Sequence, residues 1–302
     1  MVLLFAVREI LYYGIRKNES GVFEKYNTIF LKENNYEVLF LGSSRTETHF
    51  DTRIFDSVTG FNSFNLGVTG ATPRISYGVL RAYCLKSRTP KYLIFDCDYH
   101  FLRYGIDTIR HFPRYFPFLG NDELYTQFNS IDSRFTQFKY NPVYSLPFAN
   151  IRLMAASLHG WLNVPGKYDT TYYKGFTKVV FTDTLKQELN RPFYGFIHPV
   201  ERAYLDSIIQ YAKFNKIQLL LVTSPMYKSV STDMRNKNQL VKQLNNIAET
   251  NRLRYIDLSQ PAFNGQKKYF TDYYHMTADG AKLFTIDFSA NFQQYFDKKT
   301  VY

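Results

Sequence analysis

The strongest constraint on the fold of this chain is a series of short apolar runs that alternate with amphipathic stretches. Five runs have the length and composition of buried strands: residues 38–41, 61–66, 92–95, 217–222 and 253–256. Between them, apolar side chains recur at helical spacing, most clearly after the helix start formed by Thr72 and Pro73, and again after Pro199. Short apolar strands separated by helices are typical of parallel sheets. The sequence therefore predicts an α/β fold built on a parallel sheet.

The alternation stops between Tyr99 and His198. This stretch is rich in aromatic residues and interrupted by prolines, and helices are predicted near residues 123–138 and 149–161. We interpret residues 100–197 as a cap inserted after the third strand, on the side of the sheet where a site is expected. The chain has 28 Phe and 26 Tyr. Packing among themselves is the simpler role for the aromatic side chains of the cap, and a platform for sugar rings is the alternative.

Residues 1–35 precede the first predicted strand. Their apolar beginning is interrupted by Arg8 and Glu9, far short of the ~20 apolar residues that span a bilayer. They form either an amphipathic first helix running to Ile15 or the trimmed end of a membrane anchor, which would place the protein outside the cytoplasm. The predicted organisation is thus an N-terminal helix or anchor remnant over 1–35, followed by one domain over 36–302 that contains the cap.

The formal net charge of +11 favours anionic partners such as glycans, phosphate polymers, membrane surfaces or nucleic acid. The basic residues are scattered and match no nucleic-acid-binding module, so we expect no nucleic acid partner. Cys84 and Cys97 lack the spacing of a metal or redox site and do not decide the compartment. No pattern in the sequence implies a metal or a cofactor.

Two short motifs carry the chemistry. Gly42-Ser43-Ser44-Arg45 follows the first predicted strand, where open α/β sheets place their sites. Asp272 and His275 lie three positions apart, just ahead of a predicted helix. A serine hydroxyl becomes a nucleophile when an imidazole removes its proton, and a carboxylate orients that imidazole. The motifs together suggest Ser44 as nucleophile with a distant His–Asp pair, and Ser43 is the alternative nucleophile.

On these motifs the chain resembles the SGNH (GDSL-type) hydrolase superfamily, which implies a flavodoxin-like, three-layer sheet. Gly42-Ser43-Ser44 is similar to the first block of that family, which makes Ser44 the nucleophile. Asn65-Leu66-Gly67-Val68-Thr69-Gly70 is similar to the second block and implies that the Gly70 N–H, together with the Ser44 N–H, binds the oxyanion. Asp272-Tyr273-Tyr274-His275 matches the last block, with His275 as base and Asp272 as its orienting acid.

The chain departs from the family pattern at two positions. Ser43 replaces an aspartate, and Asp98 stands where the family has an asparagine that donates to the oxyanion. An ionised carboxylate can only accept hydrogen bonds. Either Asp98 is held protonated, or another donor such as Arg45 replaces it, or the oxyanion hole is weaker. Arg45, Asp98 and His100 are the predicted substrate contacts. The alternatives are a structural cap or ion pair for Asp98 and a solvated side chain for Arg45.

The departures make the chain similar to the divergent branch that includes teichoic-acid D-alanylation and alginate O-acetylation proteins. That resemblance implies a serine esterase or O-acyltransferase acting on acyl groups, such as acetyl, of a glycan or cell-envelope polymer. It also implies an extracytoplasmic location, and an acylated carbohydrate, an anionic polymer or a membrane-bound acyl-transfer protein as partner. The alternative is a protein of the same fold that has lost the chemistry and acts as a glycan-binding or scaffold component.

Overall fold

The computed structural model describes residues 1–99, 109–163, 172–180 and 192–296. The strands are β1 (Val38–Leu41), β2 (Ser63–Asn65), β3 (Tyr92–Asp96), β4 (Tyr172–Tyr173), β5 (Phe176–Thr177), β6 (Gln218–Thr223) and β7 (Arg254–Asp257). The α-helices are α1 (Val2–Lys17), α2 (Gly21–Phe30), α3 (Ser44–His49), α4 (Thr52–Thr59), α5 (Pro73–Cys84), α6 (Asp122–Ile131), α7 (Arg134–Tyr140), α8 (Pro142–Ser145), α9 (Ile151–Trp161), α10 (Pro199–Phe214), α11 (Lys228–Asp233), α12 (Lys237–Thr250) and α13 (Ala278–Ala290). Short 3₁₀ helices cover Phe112–Phe118, Leu146–Phe148, Lys267–Tyr269 and Gln293–Tyr295.

Five strands form one parallel sheet in the order β2-β1-β3-β6-β7. This is the doubly wound order of flavodoxin-like folds. β2 is added on one side of β1, and the later strands are added on the other side, starting with β3. The α/β fold with a parallel, flavodoxin-like sheet is confirmed, and each predicted strand lies within two residues of the observed one. The β4–β5 hairpin, which is antiparallel and separate from the sheet, was not predicted.

The sheet is buried on both faces, as its near-continuous apolar strands require. On one side of the sheet, the strand residues pack against Phe50, which directly follows α3, and against aromatic side chains of α4, α13 and the segment after α13. The strand residues on this side are Val38, Phe40, Ile94, Leu220 and Val222. The intervening strand residues point to the opposite side, because side chains alternate along a strand, and they are buried too. The sheet is therefore the middle layer of three.

The chain divides into two compact units. The larger unit comprises Tyr36–Tyr77, Thr89–Gly105 and Thr171–Tyr302 and contains the parallel sheet. The smaller unit comprises Met1–Asn35, Gly78–Arg88 and Ile106–Thr170. Most of the predicted cap thus folds with the first 35 residues, while the β4–β5 hairpin belongs to the larger unit. The predicted domain boundaries stay a prediction.

Close packing of α1 against α9 is a main feature of the smaller unit. Gly14 and Gly160 meet at the crossing, where a Cβ on Gly160 would overlap the Gly14 carbonyl. Trp161 donates its indole N–H to the Ile10 carbonyl (2.9 Å), and its ring lies 4.7 Å from the Tyr13 ring. The first helix continues past Ile15 to Lys17. Among the described residues, no helix has both the length and the apolar character needed to cross a bilayer.

The aromatic residues of the insertion pack largely on one another. Phe116 and Phe138 have ring centroids 4.6 Å apart, and Phe112, Phe135 and Phe148 complete the cluster. This agrees with the self-packing interpretation of the insertion. One predicted helix over 123–138 is in fact two, α6 and α7, with a break at Asp132 and Ser133. Asp132 ends α6 in an extended conformation and pairs with Arg134, which begins α7.

Candidate active site

Ser44 lies at the start of the short helix that follows β1. Ser43 is the N-cap of this helix and accepts the Arg45 N–H at 3.2 Å. Gly42 precedes it, and a Cβ at this position would collide with the Thr46 hydroxyl. The turn therefore needs a residue without a side chain directly after the strand, and it leaves the Ser44 side chain half-buried at the sheet's carboxyl edge.

His275 meets Ser44 across 231 positions of sequence. The Ser44 Oγ lies 2.8 Å from His275 Nε2, and His275 Nδ1 lies 2.8 and 3.0 Å from the two Asp272 carboxylate oxygens. The three residues predicted to act together are thus in hydrogen-bond contact in the order Ser44, His275, Asp272. The side chains of His275 and Asp272 are 28% and 45% exposed, so the line of contacts is open to solvent.

Asp272 fixes which ring nitrogen of His275 carries the proton. Its carboxylate also accepts the N–H groups of Tyr274 (2.7 Å) and His275 (2.8 Å). Burial alone would raise the pKa of Asp272, but its hydrogen bond to His275 and the two backbone N–H groups lower it overall. An ionised Asp272 requires the neutral imidazole to carry its proton on Nδ1, which leaves the Nε2 lone pair facing the Ser44 hydroxyl.

The loop that contains Gly70 lies beside the Ser44 turn. Leu66 donates to the Phe40 carbonyl (2.7 Å), and Val68 donates to the Gly42 carbonyl (3.0 Å). Gly70 has a φ of +77°, a left-handed conformation that favours glycine. This places the predicted oxyanion loop next to the nucleophile turn, as the resemblance implies, and the donor role of the Gly70 N–H stays a prediction.

Gly67 has a role that sequence reasoning missed. A Cβ there would stand 2.5 Å from the Glu47 nitrogen and 2.9 Å from the Ser43 carbonyl oxygen. Glycine at this position therefore lets the Gly70 loop approach the backbone of α3. Its N–H donates to the Asn65 side chain (2.9 Å), which in turn donates to the Thr46 and Phe50 carbonyls.

Arg45 and Asp98 are buried together, which contradicts their predicted role as substrate contacts. Their side chains are 1% and 3% exposed and form an ion pair with an N–O distance of 3.0 Å. Arg45 also donates to the carbonyls of Ser224 and Pro225. Burial opposes the charge on Arg45, but Asp98 and Asp96 raise its pKa overall. The Arg45 guanidinium is therefore paired with groups inside the protein and does not face a ligand.

Ser43 does not lie against the imidazole. Its hydroxyl donates to Asp98 at 2.9 Å, and the residue is 1% exposed. This arrangement leaves Ser44 as the serine in contact with His275 and disfavours Ser43 as nucleophile. Asp98 accepts from Ser43 and Arg45, so the position where the family has a donor is an acceptor here. His100, the remaining predicted contact, lies outside the described residues.

A buried polar network beneath the site includes residues that the sequence did not reveal. Asp96 accepts the Ser224 N–H (2.9 Å) and hydroxyl (2.7 Å), and Ser224 contacts His49 at 2.9 Å. No motif marks these residues, because they lie at the ends of different strands and a helix. Among the described residues, no three His, Cys, Asp or Glu side chains are grouped as a metal site requires.

Comparisons with known proteins find similar solved structures, and two of them are described below. No protein-family profile and no curated protein matches the chain. A "putative acylhydrolase" from Bacteroides fragilis NCTC 9343 is 13% identical, with a TM-score of 0.41 over 90% of this chain and 94% of its own. A GDSL-like lipase from Bacteroides thetaiotaomicron VPI-5482 is 14% identical, with a TM-score of 0.42 over 95% and 98%. At these identities and TM-scores the superpositions assign no activity to this chain.

Proposed function

We propose that this protein is a serine-dependent ester hydrolase of the SGNH type. The observation that carries the proposal is the continuous contact from Ser44 through His275 to Asp272, with distances of 2.8 Å at each step. This is the geometry in which an imidazole takes the proton of a serine hydroxyl and a carboxylate stabilises the resulting cation.

In the proposed reaction, Ser44 Oγ attacks the carbonyl carbon of an ester while its proton moves to His275 Nε2. The tetrahedral intermediate collapses, the C–O bond to the alcohol breaks, and His275 returns the proton to the departing oxygen. Water then attacks the acyl-serine by the same route and releases the acid. If a sugar hydroxyl replaces water, the same steps transfer the acyl group.

The oxyanion would be held by backbone N–H groups. The Ser44 N–H belongs to the first turn of α3, where the N–H groups have no partner within the helix, and Gly70 supplies the second predicted donor. Asp98 supplies none while it is paired with Arg45. Removing one oxyanion donor costs about 100- to 1000-fold in rate in a well-studied protease, so we expect slow turnover compared with enzymes that keep the asparagine.

The finer identity of the substrate is also part of the proposal. The net charge of +11 would attract an acylated anionic glycan or envelope polymer. An extracytoplasmic location, transfer to a glycan and a membrane-bound acyl donor rest on the resemblance of the motifs.

The first test is turnover of a chromogenic acetyl ester together with labelling by a sulfonyl fluoride. Wild-type protein should hydrolyse the ester and become labelled on the peptide containing Ser44, as mapped by mass spectrometry. Ser44→Ala should lose both properties and keep the wild-type circular dichroism spectrum. Ser207→Ala changes a partly exposed serine on α10 whose hydroxyl donates to the Ala203 carbonyl. It is the matched control and should behave as wild type.

Equal turnover in Ser44→Ala and wild type would refute the assignment. Failure of the wild-type protein to react would instead favour the second candidate, a glycan-binding or scaffold protein. The structure offers one observation for that candidate, the Arg45–Asp98 pair in place of an oxyanion donor.

A further inference from the structure

We propose that His49 is a positioning residue that holds His275 against Ser44. The inference rests on the proposed function and adds to it the device that joins the two remote motifs. No motif in the sequence marks His49, and its ring makes no contact with Ser44 itself among the contacts of the described residues.

The location of His49 couples both halves of the site. It is the last residue of α3, and Ser44 is the first residue of the same helix. His49 Nε2 accepts the backbone N–H of Met276 at 3.2 Å, and Met276 directly follows His275. A helix of six residues thus carries the nucleophile at one end and holds the peptide next to the base at the other.

A second bond strengthens this coupling. Thr285, on the helix that follows the histidine motif, donates its hydroxyl to the His49 carbonyl at 3.1 Å and accepts the Asp51 N–H at 3.0 Å. The end of α3 therefore contacts the His275 segment through its side chain and α13 through its backbone.

The Met276 N–H, which donates to His49, fixes the direction of the other hydrogen bonds around this ring. A backbone N–H can only donate, so Nε2 must be the unprotonated nitrogen and the neutral ring carries its proton on Nδ1. Nδ1 then donates to the Ser224 hydroxyl (2.9 Å), and that hydroxyl donates to Asp96 (2.7 Å). The contacts from Met276 to Asp96 form one consistent chain, in which both ring nitrogens are used.

Burial keeps the ring in this form. His49 is 0% exposed. Burial, followed by the nearby charge of Arg45 and by that of His275 when it carries a second proton, lowers the pKa of His49 well below the ordinary value. A neutral ring is required by the geometry, because a proton on Nε2 would face the Met276 N–H.

Small displacements at such a site have large kinetic effects. A shift of ~1 Å in a reacting group can cost about 100-fold in rate. Since His49 contacts no substrate in this arrangement, its loss should lower kcat and leave KM close to the wild-type value.

Three variants of His49 distinguish the contribution of the Nε2 hydrogen bond from that of the Nδ1 hydrogen bond. In His49→Gln, the amide oxygen reaches the position of Nε2 and can still accept the Met276 N–H. In His49→Asn, the amide nitrogen stands at the position of Nδ1 and can donate to Ser224, but nothing reaches Met276. His49→Phe fills the space and removes both bonds.

We expect His49→Asn and His49→Phe to lose about 10- to 100-fold in kcat, with KM within about threefold of wild type, and His49→Gln to keep most of the activity. Sulfonyl fluoride labelling of Ser44 should slow in the same order. Asn121→Ala is the control: it removes buried hydrogen bonds to Phe30, Ala82 and Leu124 in the smaller unit and should keep wild-type kcat.

Equal kcat in the Gln and Asn variants, or a comparable loss in Asn121→Ala, would overturn the inference, because the effect would then follow stability and not the Met276 bond. Activity of all His49 variants at the wild-type level would also overturn it while leaving the proposed function intact. Failure of the proposed function would show in a different experiment, as a Ser44→Ala variant that keeps wild-type turnover.

Discussion

The buried pair of Arg45 and Asp98 gives the sharpest energetic prediction. Replacing Arg45 with Met removes the cation and leaves the Asp98 carboxylate, which is 3% exposed, without its ion-pair partner Arg45. Breaking a buried ion pair by removing one partner costs about 3–5 kcal/mol of folding free energy. Arg45→Met should therefore destabilise the larger unit by that amount, a large part of the ~5–15 kcal/mol of a typical protein.

The double variant Arg45→Met/Asp98→Asn separates the charge from the packing. It removes both charges, so the remaining loss comes from the Ser224 and Pro225 carbonyls, which no longer receive hydrogen bonds from Arg45. Unsatisfied buried groups cost about 1–3 kcal/mol. We expect the double variant to be more stable than Arg45→Met by about 2 kcal/mol.

Urea unfolding can measure the loss of stability in each of the two units separately. The chain has a single tryptophan, Trp161, and it lies in the smaller unit, so its fluorescence serves as an internal reference. Hydrogen exchange of peptides covering Val38–Leu41 and Gln218–Thr223 reports the larger unit, whereas circular dichroism follows both units together. A loss below about 1 kcal/mol in Arg45→Met, or a double variant that loses the sum of the two single changes, would refute the reasoning.

Two further predictions use the same spectroscopic assays. Because the folded chain keeps His49 neutral and the unfolded chain protonates it below its ordinary pKa of 6.5, wild-type stability should fall by about 1.4 kcal/mol per pH unit below that value relative to His49→Phe. Equal pH slopes for the two proteins would contradict this. Gly160→Ala should separate α1 from α9, lower stability by about 1–3 kcal/mol and change Trp161 emission, since its Cβ would overlap the Gly14 carbonyl. Gly120→Ala, with no atom within 4 Å of the added Cβ, is the control, and similar losses in both would count against the crossing.

The sequence by itself determined the strands of the parallel sheet and one contact of the site. Strand positions follow from apolar runs, because a strand buried on both faces must be apolar throughout. The Asp272–His275 contact was also predictable, since an acid three positions before a histidine can reach it across one turn. The start of α10 is a third case, because Pro199 marks the first residue of the observed helix.

Only the tertiary structure decided how these pieces meet. Ser44 and His275 are separated by 231 positions and come together because the loops after parallel strands open at the same edge of the sheet. The sequence predicts Arg45 and Asp98 as substrate contacts, yet the strand order places them side by side in the interior. His49 illustrates the same point, since its partners Ser224 and Met276 lie 175 and 227 positions away. Hydrogen bonds between distant segments leave no periodic signal in a sequence, so their existence depends on the sheet that brings those segments together.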